Sequence, residues 1–219
     1  MGKRTKGGEP PSLGYDVSSI TVLTAAEAVR RRPALYLGPE RRCSFLVAQA
    51  ALEPFFAEGA RCTRLEVSWD SEGVVQVADD DWSVDTGQDS KGGVNLEQAL
   101  TYIAPGSRRR GTGLSLVNLM SEWFIFEAHQ PARLYRLRFD VAKPRPPETG
   151  VATPPWRTVV TFKPDALCVD ARTPLTADAL IRDIQHMLAA PESWPSWNGE
   201  RPALSFESAP AKLVLTRGT

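Results

Sequence analysis

Residues 65–86, LEVSWDSEGVVQVADDDWSVDT, constrain the fold more than any other stretch. Leu65, Val67 and Trp69 alternate with polar residues, Ser71, Glu72 and Gly73 supply a turn, and Val75 and Val77 resume the alternation as far as Asp79. An apolar period of two on both sides of a turn predicts a hairpin with one buried face. Asp79, Asp80 and Asp81 then stand at the mouth of a sheet. Carboxylates placed there can accept a hydrogen bond from an exocyclic amine, hold a metal ion or remain solvated, and the remaining chain has to choose.

With 219 residues, 42% of them hydrophobic, the chain can bury the core of one domain. Lys+Arg and Asp+Glu both number 26, so no bulk field directs it to nucleic acid or to a membrane surface. Cys43, Cys62 and Cys168 have no metal-ligand spacing and make an odd count, for which a reducing cytoplasm is the simplest home. The N-terminus lacks an apolar signal core, and no run approaches the length of a membrane span. Residues 1–14, with Lys3, Arg4 and Lys6 among Gly and Pro, read as a flexible basic arm, and 15–219 as a single domain.

Thr24 and Glu27 stand three apart at the head of an apolar-periodic segment, the pattern of a capping box, and Pro33 closes that helix near Arg31. Around it lie Tyr15, Ile20, Val29, Arg30, Arg32, Pro33, Tyr36 and Gly38. This string closely resembles the N-terminal arm and first helix of the ATPase domains of DNA gyrase B subunits and topoisomerase IV, members of the GHKL group. The resemblance implies an α/β two-layer sandwich with helices on one face of a mixed sheet. It also implies a dimer arm at Tyr15 and Ile20 that reaches across to a neighbouring protomer.

Where the chemistry should be, the resemblance frays. Residues 43–58 predict a helix that is apolar nearly all round, with Gly59 as its stop. In the family this helix carries a general-base Glu and, four residues later, a magnesium-binding Asn, which one helical turn places on one face. An ungapped register puts Ala48 and Leu52 at those positions, so no catalytic residue and no magnesium ligand is expected. Glu53 could serve as the base only after a five-residue slip, and Pro54 beside it is expected to interrupt the helix.

Asp79 matches the family aspartate that accepts the adenine amino group, but Asp81 and Ser83 replace glycines and Trp82 replaces an arginine. Asp79 therefore reads either as an adenine contact or as a structural remnant. The long lid of the family is cut to 104–110, ending in Arg108, Arg109 and Arg110, which suit phosphate contacts or a solvated turn. Gly111, Thr112 and Gly113 then precede LSLVN, in the manner of a phosphate loop before a helix. Thr158 matches a threonine near the adenine. A short helix is expected over 95–103, a strand pair over 123–128 and 134–139, a loop over 143–155 and a helix over 177–188 capped by Thr176. His129 and His186 follow no catalytic pattern.

The chain ends where the first ATPase subdomain of the family ends, so neither a transducer nor a DNA-cleavage domain is expected. The sequence reading is a degenerate gyrase-B-like protein, a pseudo-ATPase leaning away from enzyme activity. Its expected partner is a second copy or a gyrase or topoisomerase IV subunit, with ATP binding without hydrolysis left open and magnesium not expected. A weak ATPase and a nucleic-acid-binding module built on Arg108, Arg109 and Arg110 are the competing readings.

Overall fold

The computed structural model describes residues 22–57, 59–82, 84, 96–103, 113–155, 157–170, 172–189 and 202–218. Tyr15, Ile20, Arg108, Arg109, Arg110, Gly111 and Thr112 lie outside the described residues, as does the basic arm.

The N-terminal signals form as expected. In α1 (Ala25–Arg31) the Glu27 amide donates to Thr24 Oγ1 at 3.2 Å and the Thr24 amide to Glu27 Oε2 at 2.8 Å, a reciprocal capping box. A further single turn, α2 (Ala34–Leu37), follows Pro33 and closes on Gly38 at φ +75°, a conformation open to glycine. The long helix α3 (Cys43–Phe56) is buried along most of its length, as its all-round apolar sequence requires. It runs through Pro54, contrary to the expected break. Pro54 falls in the last turn, where only one amide is lost, and the Ala57 amide still reaches the Glu53 carbonyl at 3.1 Å.

Strands β1 (Arg64–Trp69) and β2 (Val75–Asp79) form the expected antiparallel hairpin, with Val67 opposite Val77. Asp70 Oδ1 accepts from the Glu72 and Val74 amides at 2.9 Å each and fixes the turn. After α4 (Leu96–Thr101) and α5 (Ser115–Leu119) come β3 (Ser121–Gln130) and β4 (Arg133–Asp140), the second expected strand pair. The segment expected to be a loop contributes two short strands, β5 (Lys143–Pro144) and β6 (Glu148–Gly150), because both lie along the free edge of β4. The chain continues through β7 (Arg157–Pro164), α6 (Ala177–Ala189), β8 (Leu204–Ala209) and β9 (Lys212–Arg217). Thr176 caps α6 through the Ala179 amide at 3.2 Å.

The nine strands order as β5-β4-β3-β7-β2-β1-β9-β8, with β6 also on β4 and every described pairing antiparallel. Alternate residues on the central strands, among them Leu65, Val77, Phe124, Leu137 and Phe162, point into one core beneath the helices. Phe124 sits at the middle of this core, edge-on to Phe139 at 6.0 Å between ring centres. The opposite face carries charge pairs such as Lys212–Glu66 at 2.8 Å and Arg136–Glu127 at 2.7 Å. The result is the two-layer α/β sandwich expected. Among the described residues no helix is long and apolar enough to cross a membrane.

Two ionic staples join the helices to the rest. Arg30 donates to the Leu119 and Ser121 carbonyls at 3.2 and 3.3 Å and pairs with Asp165. Asp183 of α6, itself buried, receives Arg42 Nη2 at 2.7 Å and the Ser44 hydroxyl at 2.6 Å, fastening the start of α3.

Candidate functional site

The three acids of the turn separate into different environments because their side chains alternate about the end of β2. Asp79 points into the core side at 3% exposure, with Leu65 and Thr158 as its register partners on the flanking strands. Its Oδ1 accepts the Asp81 amide at 3.0 Å. Asp81 is buried too: its Oδ2 accepts the Arg61 amide at 3.1 Å and its carbonyl accepts the Thr158 hydroxyl at 2.6 Å. Asp80 turns outward and grips the start of β1 through the Thr63 amide at 2.8 Å, the Thr63 hydroxyl at 2.5 Å and the Arg64 amide at 3.1 Å.

Asp79 and Thr158, singled out separately in the sequence, are thus brought together through Asp81. The link runs through the Asp81 backbone amide and carbonyl, which a glycine would also supply; its side chain adds the bond to the Arg61 amide. Trp82 leaves 44% of its surface exposed, and the chain just beyond is tied to the end of β3 by Gln130 Nε2 on the Val84 carbonyl at 2.7 Å.

Helix α3 passes behind this turn. Ala48 and Leu52, the positions to which the resemblance assigns base and metal ligand, are 0% and 1% exposed and belong to the core. Neither side chain carries a donor atom for a metal or an acceptor for a proton. The only acid on α3 is Glu53, at 4% exposure, and it lies against Gly113. A Cβ added at Gly113 would come 2.6 Å from Glu53 Cγ and 3.3 Å from Glu53 Cβ. The surviving described glycine of the loop is therefore a close-approach glycine, and the group it approaches is a carboxylate side chain.

An ungapped register could not find this contact, because the two residues meet only when α3 and the segment before α5 pack together. Arg217 gives no signal in the sequence either. Its Nη2 donates to the Phe55 carbonyl at 2.9 Å and its guanidinium stacks over the Phe55 ring at 5.6 Å, closing the C-terminus of α3.

The helix after the glycines, α5, has five residues, little more than one turn, so its dipole adds little to any anion site. Asn118 within it donates to the Leu100 carbonyl at 2.8 Å and ties α5 to α4. The cysteines show no nucleophile: burial pushes the Cys43 thiol up to about 11 and raises that of Cys168. No group of three or more His, Cys, Asp or Glu side chains among the described residues is placed to hold a metal ion.

The sandwich, the acidic turn at the end of β2 and the glycine before α5 define the class: a gyrase-B-like domain of GHKL type. Relatives that it matches include the B subunits of DNA gyrase and of DNA topoisomerase 4. The chain is 31% identical over 180 residues to the DNA gyrase B subunit of Myxococcus xanthus, covering 74% of this chain and 22% of that protein. It is 29% identical over 227 residues to the DNA gyrase B subunit of Thermotoga maritima, covering 93% of this chain and 36% of the relative. The DNA topoisomerase 4 B subunit of Staphylococcus aureus is 27% identical over 197 residues, 78% of this chain and 28% of that protein. The alignments thus take in only 22% to 36% of the length of these relatives. No protein-family model matches the chain.

Proposed function

We propose that this protein is a catalytically degenerate gyrase-B-like domain that acts by binding, as a regulator, decoy or assembly partner. The observation that carries the proposal is the burial of Ala48 and Leu52 in the core at the positions of the general base and magnesium ligand. The one carboxylate that helix α3 offers, Glu53, stands at neither position. Glu53 pressed against Gly113 adds to this, because its side chain fills the space between α3 and the segment before α5. On this reading the partner is a second copy or a gyrase or topoisomerase IV subunit, reached through the arm of Tyr15 and Ile20. The Asp79–Asp81–Thr158 knot serves the fold more than a ligand.

Calorimetric titration with ATP and with a non-hydrolysable analogue, with and without magnesium, tests the proposal. The expected outcome is no magnesium-dependent heat and no turnover. Sustained magnesium-dependent turnover by the purified protein would overturn it.

The contact between Glu53 and Gly113 favours one competing reading, a weak ATPase with Glu53 as base, since it brings the one helix carboxylate to the phosphate loop. That reading requires turnover that Glu53→Gln abolishes. Turnover equal in both proteins would remove it.

A further inference from the structure

One face joins the N-terminal helices to the hairpin end of the sheet, at the opposite end of β2 from Asp79. It carries two neighbouring depressions of opposite charge. The larger, about 920 Å³, has Trp69, Val75, Val169 and Leu175 in its lining and Asp70, Glu72 and Glu122 among its charged groups. Lys163 in the same lining lies 3.5 Å from Glu122, so those two charges offset each other. Asp70 and Glu72 form no salt bridge among the described residues.

The smaller depression, about 540 Å³, is lined by Arg31, Arg32 and Arg41 around Leu35, Pro33 and Pro39. None of the three arginines forms a salt bridge among the described residues.

The two depressions meet where the chain passes from Arg41 to Cys43. Arg41 Nη1 donates to the Leu167 carbonyl at 3.2 Å, beside Ala166 of the larger lining. Leu35 and Leu167 stand on this face at 73% and 75% exposure, among the most exposed large apolar side chains described. Exposed leucines between complementary charged rims mark an interaction surface.

We propose that this face is a two-fold interface between two copies of the chain, the acidic depression of each receiving the arginine depression of the other. A two-fold axis pairs residue i of one copy with j of its partner and j with i, so adjacent patches of opposite sign on one face are self-complementary under it. Together the depressions are lined by roughly twenty residues, what one side of a standard interface needs. A polyphosphate strand fits this face poorly, because Asp70 and Glu72 stand beside the arginines. A formal net charge of zero leaves no overall repulsion between copies. Neither Tyr15 nor Ile20 is among the lining residues, and the inference stands whether or not nucleotide binds.

The test is sedimentation velocity of the full chain across a concentration series. The wild type is expected to dimerise, and Glu72→Arg and Arg32→Glu each to weaken the dimer on the order of tenfold or more, since each reversal acts twice across the axis. Both residues are exposed, so both variants should keep the wild-type thermal melt. An equal mixture of the two is expected to restore a heterodimer, in which every reversed residue again meets an opposite charge. Tyr15→Ala with Ile20→Ala, in the full chain, is expected to leave this dimer intact. A monomer at all concentrations, a dimer indifferent to both reversals, a mixture that fails to restore association, or a dimer lost only with the arm substitutions would each overturn the proposal.

Discussion

Replacing Arg30 with methionine is expected to lower the unfolding free energy by about 3 kcal/mol. Arg30 joins α1 to the end of α5, the start of β3 and the segment after β7. Its Nη1 serves the Leu119 and Ser121 carbonyls, and its Nη2 serves Asp165. Asp165 also accepts the Leu167 amide at 2.8 Å, while its own amide donates to the Met120 carbonyl at 2.9 Å. Loss of the guanidinium leaves a largely buried carboxylate without its cation and two carbonyls short of a donor. The cost is placed at the low end of the range for a broken buried pair, because the side chains keep 17% and 11% of their surface in solvent.

Urea denaturation measures this loss, and the neighbouring Arg31→Met is the control. Arg31 is exposed, so its replacement should cost less than about 0.5 kcal/mol. The double change of Arg30→Met with Asp165→Asn should recover part of the loss, since the stranded charge goes with its partner. If Arg30→Met costs no more than Arg31→Met, the staple does not hold α1 to the sheet.

The features legible in the sequence are those whose partners lie close along the chain. The capping box of Thr24 and Glu27, the hairpin ending at Asp79 and the strand pair β3–β4 each rest on local spacing, which fixes geometry before any tertiary contact forms. What the sequence hides joins distant segments. Arg30 and Asp165 are 135 residues apart, Arg42 and Asp183 are 141, and Arg217 and Phe55 are 162. The strands β5 and β6 are invisible for a related reason: their Pro-rich sequence has no period of two, and they exist because the edge of β4 is there to pair with.

At the site, the resemblance points to Asp79 and Thr158, and strand register brings them side by side. It could not foresee that the Asp81 carboxylate would be buried on the Arg61 amide, because Asp81 stands where the family has glycine. Nor could it foresee that the helix would carry Pro54 within its last turn and so deliver Glu53 to the loop.

Gly113→Ala is expected to destabilise the protein by about 2 to 3 kcal/mol, and the cause is steric. Gly113 has no positive φ, so alanine meets no backbone penalty there. The new methyl group would instead stand 2.6 Å from Glu53 Cγ, well inside contact distance. Cγ is the second carbon of a buried side chain on a packed helix and has no free space into which to swing, so α3 and the loop must separate. Glu53→Ala removes that carbon and leaves Cβ at 3.3 Å, a tight contact that a shift of a few tenths of an ångström relieves. The double variant should therefore be more stable than the sum of the single losses allows, with a coupling of about 1 to 2 kcal/mol. Chemical denaturation of the four proteins completes the cycle. Additive losses would mean that the two residues do not touch. A positive coupling would mean that Glu53 locks the segment at Gly113 against α3 by direct contact.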